Sequence, residues 1–315
     1  DHRDLHSFPP RRSSDLLEGD CGAILWWSED LLEGSGAALR LSAKGRALAP
    51  VVREMQAPLA RLLLRAERVY DPVAVHYSQA SIQLAWLFES FEDGATWPRR
   101  FSSYEATHSR HAALRTELLQ ALREAGWSPQ FVSYDEVADG ALAARGFAAC
   151  FLPDSHALSE REEAALRAFA AKPGARLLYT GEPGVFDASG TPRPDSVFPG
   201  STQTVAQLVA QLPPPPVRVA APGTGVCVTR FRADGDLLFA LEQRQRGQTG
   251  EDVTQSVSPA NAGATMRVPF VYNDPRPLFD LRTGRQIGSQ GRAEVDVPFE
   301  RPAVLGFSPA ALRAD

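Results

Sequence analysis

The four consecutive prolines at 213–216 constrain this chain more than any other feature. Each lacks a backbone N–H and has a fixed φ, so neither a helix nor a central strand can run through them. "LPPPPVRVAAPG" is therefore an extended linker, and the chain changes character across it. On its N-terminal side strand and helix signals alternate. Strands read at "PVAVHYS", "QFVSYDEV", "FAACFLPD" and "ARLLYTG", and helices at "SRHAALRTELLQALREAG", "SEREEAALRAFAA" and "TVAQLVAQL". Apolar strands separated by helices make a parallel sheet covered on both faces, so residues 71–213 are expected to form a flavodoxin-like layered α/β domain. In it Ser159 and Glu162 form a capping box at the start of a helix. On the C-terminal side helix signals vanish. The short runs "GVCVTRFR", "DLLFALEQ", "ATMRVPF", "PLFDLRTG", "AEVDVPF" and "AVLGFS" predict a small antiparallel β-sandwich over 214–315. The polar "EQRQRGQTGEDVTQSVSPANAG" within it reads as a hairpin loop.

Composition narrows the function classes. An apolar fraction of 43% with 23% charged residues is that of a globular chain with a core. A net charge of −5 argues against a nucleic-acid partner. Positive charge comes almost wholly from arginine, Lys44 and Lys172 being the only lysines. Cys21, Cys150 and Cys227 are far apart and odd in number, which gives neither a disulfide framework nor a metal-spaced cluster and favours a reducing, cytoplasmic setting. No apolar run approaches the roughly 18 residues of a membrane helix, so no membrane partner is expected. No cofactor and no metal are expected either.

Residues 17–70 hold a short apolar strand, "GAILWW", a loop, "SEDLLEGSGAALR", and a long amphipathic helix. In that helix Leu48, Val52, Met55, Leu59 and Leu62 recur at helical spacing, and Pro50 and Pro58 limit or kink it. One strand and one helix do not close a core, since a lone strand has two unpaired edges. The piece reads as a remnant of something larger. At the end of the strand, "WWSED" puts two indoles beside Ser28, Glu29 and Asp30. An indole face can stack on a sugar and a strand-end carboxylate can act in catalysis; equally, both Trp can be core and Glu29 the start of an exposed loop.

The order of strand, long helix, layered α/β domain, proline linker and terminal β domain resembles the C-terminal half of the family-42, β-galactosidase-like glycoside hydrolases. "GAILWWSED" resembles the eighth strand of their (β/α)8 barrel and "SAKGRALAPVVREM" its last helix. "VAVHYSQASIQLAW", "FLPDSHALSEREEAALRAF" and "LLYTGEPGVFD" resemble the core of their flavodoxin-like trimerisation domain. The resemblance implies a retaining mechanism with two glutamates about 5 Å apart, after strands four and seven. Both would precede Leu17, so the chain as written is expected to be an inactive fragment serving oligomerisation and the active-site rim. It implies a homotrimer whose parent binds a carbohydrate, with Trp27, Ser28 and Glu29 beside the sugar. The Glu and His that hold galactose in such enzymes have no counterpart in "LLEGSGAALRLS", so galactose specificity does not carry over. Residues 1–16 read as a translated sequencing adapter, from which "HSFPPRRSSDL" departs only at Pro10, and are set aside from fold reasoning.

Other readings compete. The layered domain also resembles class I glutamine amidotransferases, but its elbow in "LLYTGEPG" carries Thr180 and Gly181 in place of a cysteine, and Cys150 reads as a buried thiol. His108 and His111, with Glu105 nearby, have a spacing that could hold zinc, although surface histidines at a helix start are far commoner. "YSQASIQLAWLFESFEDGATWPRRF" reads as an irregular segment whose Trp86, Phe88, Phe91, Trp97 and Phe101 either fill a core or form an interface. A non-catalytic carbohydrate-binding or scaffolding protein is the alternative to the hydrolase fragment.

Overall fold

The computed structural model describes residues 29–221, 223–243, 264–299 and 301–308. They form two compact units. The strand expected at 22–27, with Trp27, and also Ser28, Cys21 and residues 1–16, lie outside the described residues. So does most of the expected hairpin loop.

In the first unit the chain runs from a two-stranded ribbon, β1 (Leu32–Glu33) and β2 (Arg40–Leu41), into helix α1 (Ala43–Gln56). Ser42 caps α1 by accepting from the Gly45 N–H at 3.0 Å. Helix α2 (Pro58–Arg65) follows after a break. The break comes at Ala57, where the proline that follows forces the residue before it into an extended conformation, φ −72° and ψ 159°. Pro50 lies inside α1 without ending it. Leu59, Leu62 and Leu63 of α2 pack against Phe231, Leu238, Leu281 and Val304 of the C-terminal sheet. Strand β3 (Glu67–Val69) then joins that sheet, pairing antiparallel with Arg230–Arg232.

That sheet is entirely antiparallel and has nine strands. It comprises β3, β8 (Arg218–Val219), β9 (Val226–Ala233), β10 (Asp236–Gln243), β11 (Thr265–Val271), β12 (Leu278–Asp280), β13 (Gln286–Ser289), β14 (Arg292–Pro298) and β15 (Ala303–Gly306), in the order β3-β9-β10-β15-β12-β13-β14-β11-β8. The predicted strands are present, but they make one continuous curled sheet where two stacked sheets were expected. The reason is β12. It bonds β15 on one side and β13 on the other, with a register shift at Leu278 and Phe279, and so joins what would have been two sheets. The alternation of β14 places Ala293, Val295 and Val297 in the core with Phe239, Phe270 and Leu278, and leaves Glu294 and Asp296 outside. Asp234 and Gly235, with φ of 50° and 86°, make the tight β9–β10 turn.

The second unit is a mixed α/β layer structure around a parallel sheet of order β5-β4-β6-β7. Its strands are β4 (Val73–Tyr77), β5 (Gln130–Ser133), β6 (Ala149–Leu152) and β7 (Arg176–Tyr179). Alternate residues face opposite sides. Val73, Val75 and Phe151 pack with Leu118 and Leu122 of α5 (Arg110–Glu124) and with Val205 and Leu208. On the other face Ala74, Cys150 and Leu152 pack with Val137, Leu142, Leu166 and Phe169.

Two segments differ from expectation. The strand read through Val137 ends at Ser133, because Ser133 and Glu136 form a capping box that starts the helix Tyr134–Ala138. The segment after β4 is not irregular. It is the 15-residue helix α3 (Gln79–Asp93), followed by α4 (Ser102–His108). Helix α3 is amphipathic in the unexpected sense. Ser81, Glu89 and Ser90 face inward, while Leu87, Phe88 and Phe91 face solvent, Phe91 being 90% exposed.

Candidate functional site

In the first unit, the loop after the expected sugar-facing strand is seated on the start of α1. Glu29 opens a one-turn 3-10 helix, Glu29–Leu31. Asp30 accepts from the Ser42 hydroxyl through its backbone carbonyl and pairs with Lys44 through its side chain. Glu33 and Arg40 pair across the ribbon at 2.8 Å. The closest approach is at Gly45, where an added Cβ would lie 2.2 Å from the Leu31 carbonyl oxygen, so only glycine lets the loop sit there. Of the three residues expected beside a sugar, Trp27 and Ser28 lie outside the described residues, and Glu29 is the first residue of the one-turn helix.

In the second unit the polar groups gather at the carboxyl edge of the parallel sheet. His76, near the end of β4, lies between Ser155 and Glu162, with Nδ1 2.9 Å from Ser155 Oγ and Nε2 3.1 Å from Glu162 Oε1. All three are buried. The expected capping box is present: Glu162 is the residue that closes it on Ser159, at the start of α8 (Glu160–Ala170). Burial pushes the Glu162 carboxyl up, but hydrogen bonds from His76 and Ser159 outweigh it and hold the group below the ordinary carboxylate range.

The elbow after β7 carries no nucleophile. Thr180 Oγ1 donates to Asp154 Oδ1 at 2.7 Å and accepts from the Asp154 N–H at 3.0 Å. Cys150 is wholly enclosed in β6, where burial pushes its thiol up to about 12. Cys227 is buried in the other unit.

His108 and His111 do not converge with Glu105. His108 is exposed and stacks on Tyr104, with centroids 3.8 Å apart, while the Glu105 carboxylate accepts from Arg99 at 2.8 Å. His111 is buried at the start of α5, where Glu89 Oε1 accepts from the backbone N–H groups of Arg110 and His111. Among the described residues no group of three His, Cys, Asp or Glu could hold a metal. Nor is any of the described helices long and apolar enough to cross a membrane.

The aromatic segment is displayed rather than packed as core. Trp86, Phe88, Phe91, Trp97 and Phe101 are all exposed, and the Arg100 guanidinium lies over the Trp97 ring. Beneath them Arg99, itself buried, binds Glu89, Asp93 and Glu105 and fixes the segment. The sequence signal for this brace is the acidic spacing Glu89, Asp93, Glu105 around one arginine; the signal for the network at His76 is the capping-box glutamate.

No protein-family model and no curated protein sequence matches this chain. Solved structures do. A β-galactosidase from Bacillus circulans sp. alkalophilus is similar over 85% of this chain and 45% of its own, with a TM-score of 0.50 and 12% identity. A GH42 exo-carrageenase from Bacteroides ovatus aligns over 84% of this chain and 32% of its own, at a TM-score of 0.49 and 9% identity. A rhamnosidase from Novosphingobium sp. PP1Y aligns over 87% and 26%, at 0.41 and 13%. The chain thus shares its fold with part of the B. circulans β-galactosidase, and it spans less than half the length of each of these structures.

Proposed function

We propose that this chain is the C-terminal part of a β-galactosidase-like, retaining glycoside hydrolase. In this reading residues 17–70 are the last βα unit of a (β/α)8 barrel. Residues 71–213 are a flavodoxin-like domain of class I glutamine amidotransferase type that serves trimerisation, and residues 214–315 are the C-terminal β domain. Residues 1–16 are translated adapter. The observation that carries the reading is the fold likeness to the B. circulans β-galactosidase across 85% of this chain.

The chemistry follows from the reaction class. A retaining hydrolase needs two carboxyl groups about 5 Å apart, one to protonate the leaving group and one to form the glycosyl-enzyme. In a (β/α)8 enzyme these stand at the ends of earlier strands, outside this chain. The chain contributes assembly and the rim. Trp27 stacks on the sugar, with Ser28 and Glu29 beside it, and the Asp30–Lys44 and Ser42 contacts that seat the loop on α1 favour a fixed rim. The outward aromatic face of α3 supports a role in assembly, because aromatic side chains are enriched at the cores of interfaces.

Two measurements on the purified chain test this. Chromogenic glycosides should show no turnover, and turnover would place the carboxylates within it. Light scattering should show a trimer, and a strict monomer at high concentration would remove the assembly role.

A further inference from the structure

At one end of the curled sheet the end of β12, the start of β13, the end of β14 and the start of β15 come together, as their antiparallel pairing requires. Between them lies a cavity of about 80 Å³. The mouth of a curled or closed sheet is a favoured place for a ligand, because the core supplies an apolar floor and the turns a polar rim. Here the floor is Val295 and Leu305, which belong to the core of the sheet, and half-buried Ile287 and Pro298 form the walls. The rim carries Asp280, Arg282, Arg285, Asp296 and Arg301.

We propose that this cavity binds a short-chain aliphatic carboxylate, its hydrocarbon body against Ile287, Val295 and Leu305 and its carboxylate on Arg301. Size sets the class. The volume of about 80 Å³ is near half of the roughly 150 Å³ in which a dry cavity takes benzene, so it suits a body of about three or four carbons with the head group at the mouth. The sign of the head group comes from the rim. Asp280 is spent within its own turn, its carboxylate accepting from the Arg282 N–H at 2.9 Å and from the Thr283 hydroxyl at 2.7 Å. Arg282 pairs with Glu54 of α1 and donates to the Pro302 carbonyl at 3.3 Å. Arg285 faces Asp296 at 3.9 Å. Arg301 is exposed and has no partner among the described residues. The charge left unmatched at the mouth is therefore positive, and it stands beside an apolar floor. A guanidinium with all its donors open suits a carboxylate, which it can hold by two parallel hydrogen bonds.

The rim is braced from two sides. The Asp280 N–H donates to the Arg285 carbonyl at 2.9 Å and the Gly284 N–H to the Asp280 carbonyl at 2.8 Å, which closes the β12–β13 turn. Gly284 makes that turn with φ 69°, where a side chain would be strained. The Arg282–Glu54 pair then ties the turn to α1. Support of this kind lowers the ordering cost of binding.

Isobutyrate tests this on the whole chain, by calorimetry and by the methyl resonances in NMR. The expected result is saturable binding with a shift of the Ile287 methyl groups. Acetate, which lacks the branched body, should bind about tenfold more weakly. Isobutyramide, the neutral isostere, should bind about fivefold more weakly, and Arg301→Gln should weaken isobutyrate by about the same factor. Arg301 is exposed, so this variant should melt as the parent does. Arg292→Gln, at the opposite end of β14, should leave binding unchanged. The proposal is overturned if isobutyrate does not saturate or leaves Ile287 unshifted, or if acetate or isobutyramide binds as tightly. It is equally overturned if Arg301→Gln binds isobutyrate as the wild type does, or if Arg292→Gln weakens binding as much.

Discussion

His76 Nε2 lies 3.1 Å from Glu162 Oε1, and neither side chain is more than 3% exposed. The pair ties β4 to the start of α8, and its partners are complete: Ser155 takes the other ring nitrogen and Ser159 the remaining carboxylate capacity. Replacing His76 by Leu leaves a buried carboxylate and a buried hydroxyl unmet, which should cost about 3 kcal/mol of stability in urea unfolding. The pH dependence has a definite sign. Glu162 is held below its ordinary value of 4.5 in the folded chain, so its contribution is full above that pH and is lost as pH falls through the lower folded value. Glu162→Gln should remove this part of the acid sensitivity; an unchanged acid profile would contradict it.

Arg99 is enclosed by Glu89, Asp93 and Glu105 and holds the aromatic segment from beneath. Arg99→Met strands the buried Glu89 carboxylate, with an expected loss of about 3 kcal/mol by denaturant titration. The aromatic face should lose order with it, seen as a loss of near-ultraviolet circular dichroism at the tryptophans. A variant as stable as the parent would show that the cluster is not a brace.

Cys150 should not react with iodoacetamide in the native protein near pH 8, because the thiol is enclosed and its ionisation is pushed up to about 12. After unfolding it should alkylate readily. Peptide mass spectrometry reads both states, and native labelling at Cys150 would contradict the enclosed strand.

Gly45→Ala brings a methyl group to within 2.2 Å of the Leu31 carbonyl unless the loop moves. We expect a loss of about 1–3 kcal/mol and faster proteolysis between 29 and 42, with the C-terminal sheet intact. Equal cleavage rates would mean that the loop does not depend on this contact.

What could be read from the sequence was local. The Ser159 and Glu162 capping box and the apolar strands of the parallel sheet each declare themselves within a few residues. Helix α3 was missed because its period is inverted. The side chains it buries, Ser81, Glu89 and Ser90, are polar, and Phe91 points outward, so hydrophobic spacing gives no inward face. The single curled sheet was missed because it depends on the three-residue β12 pairing on both sides, a non-local choice. The cluster at the carboxyl edge was missed because His76 is far in sequence from Ser155 and Glu162 and meets them only through the fold.

The central claim is that residues 17–70 close a (β/α)8 barrel belonging to a hydrolase, and the gene itself tests it most directly. Reading the contig upstream of the Leu17 codon should reveal seven further βα units in frame, with a glutamate at the end of the fourth strand and another at the end of the seventh. An in-frame start codon close to Leu17, with no such units before it, would contradict the account.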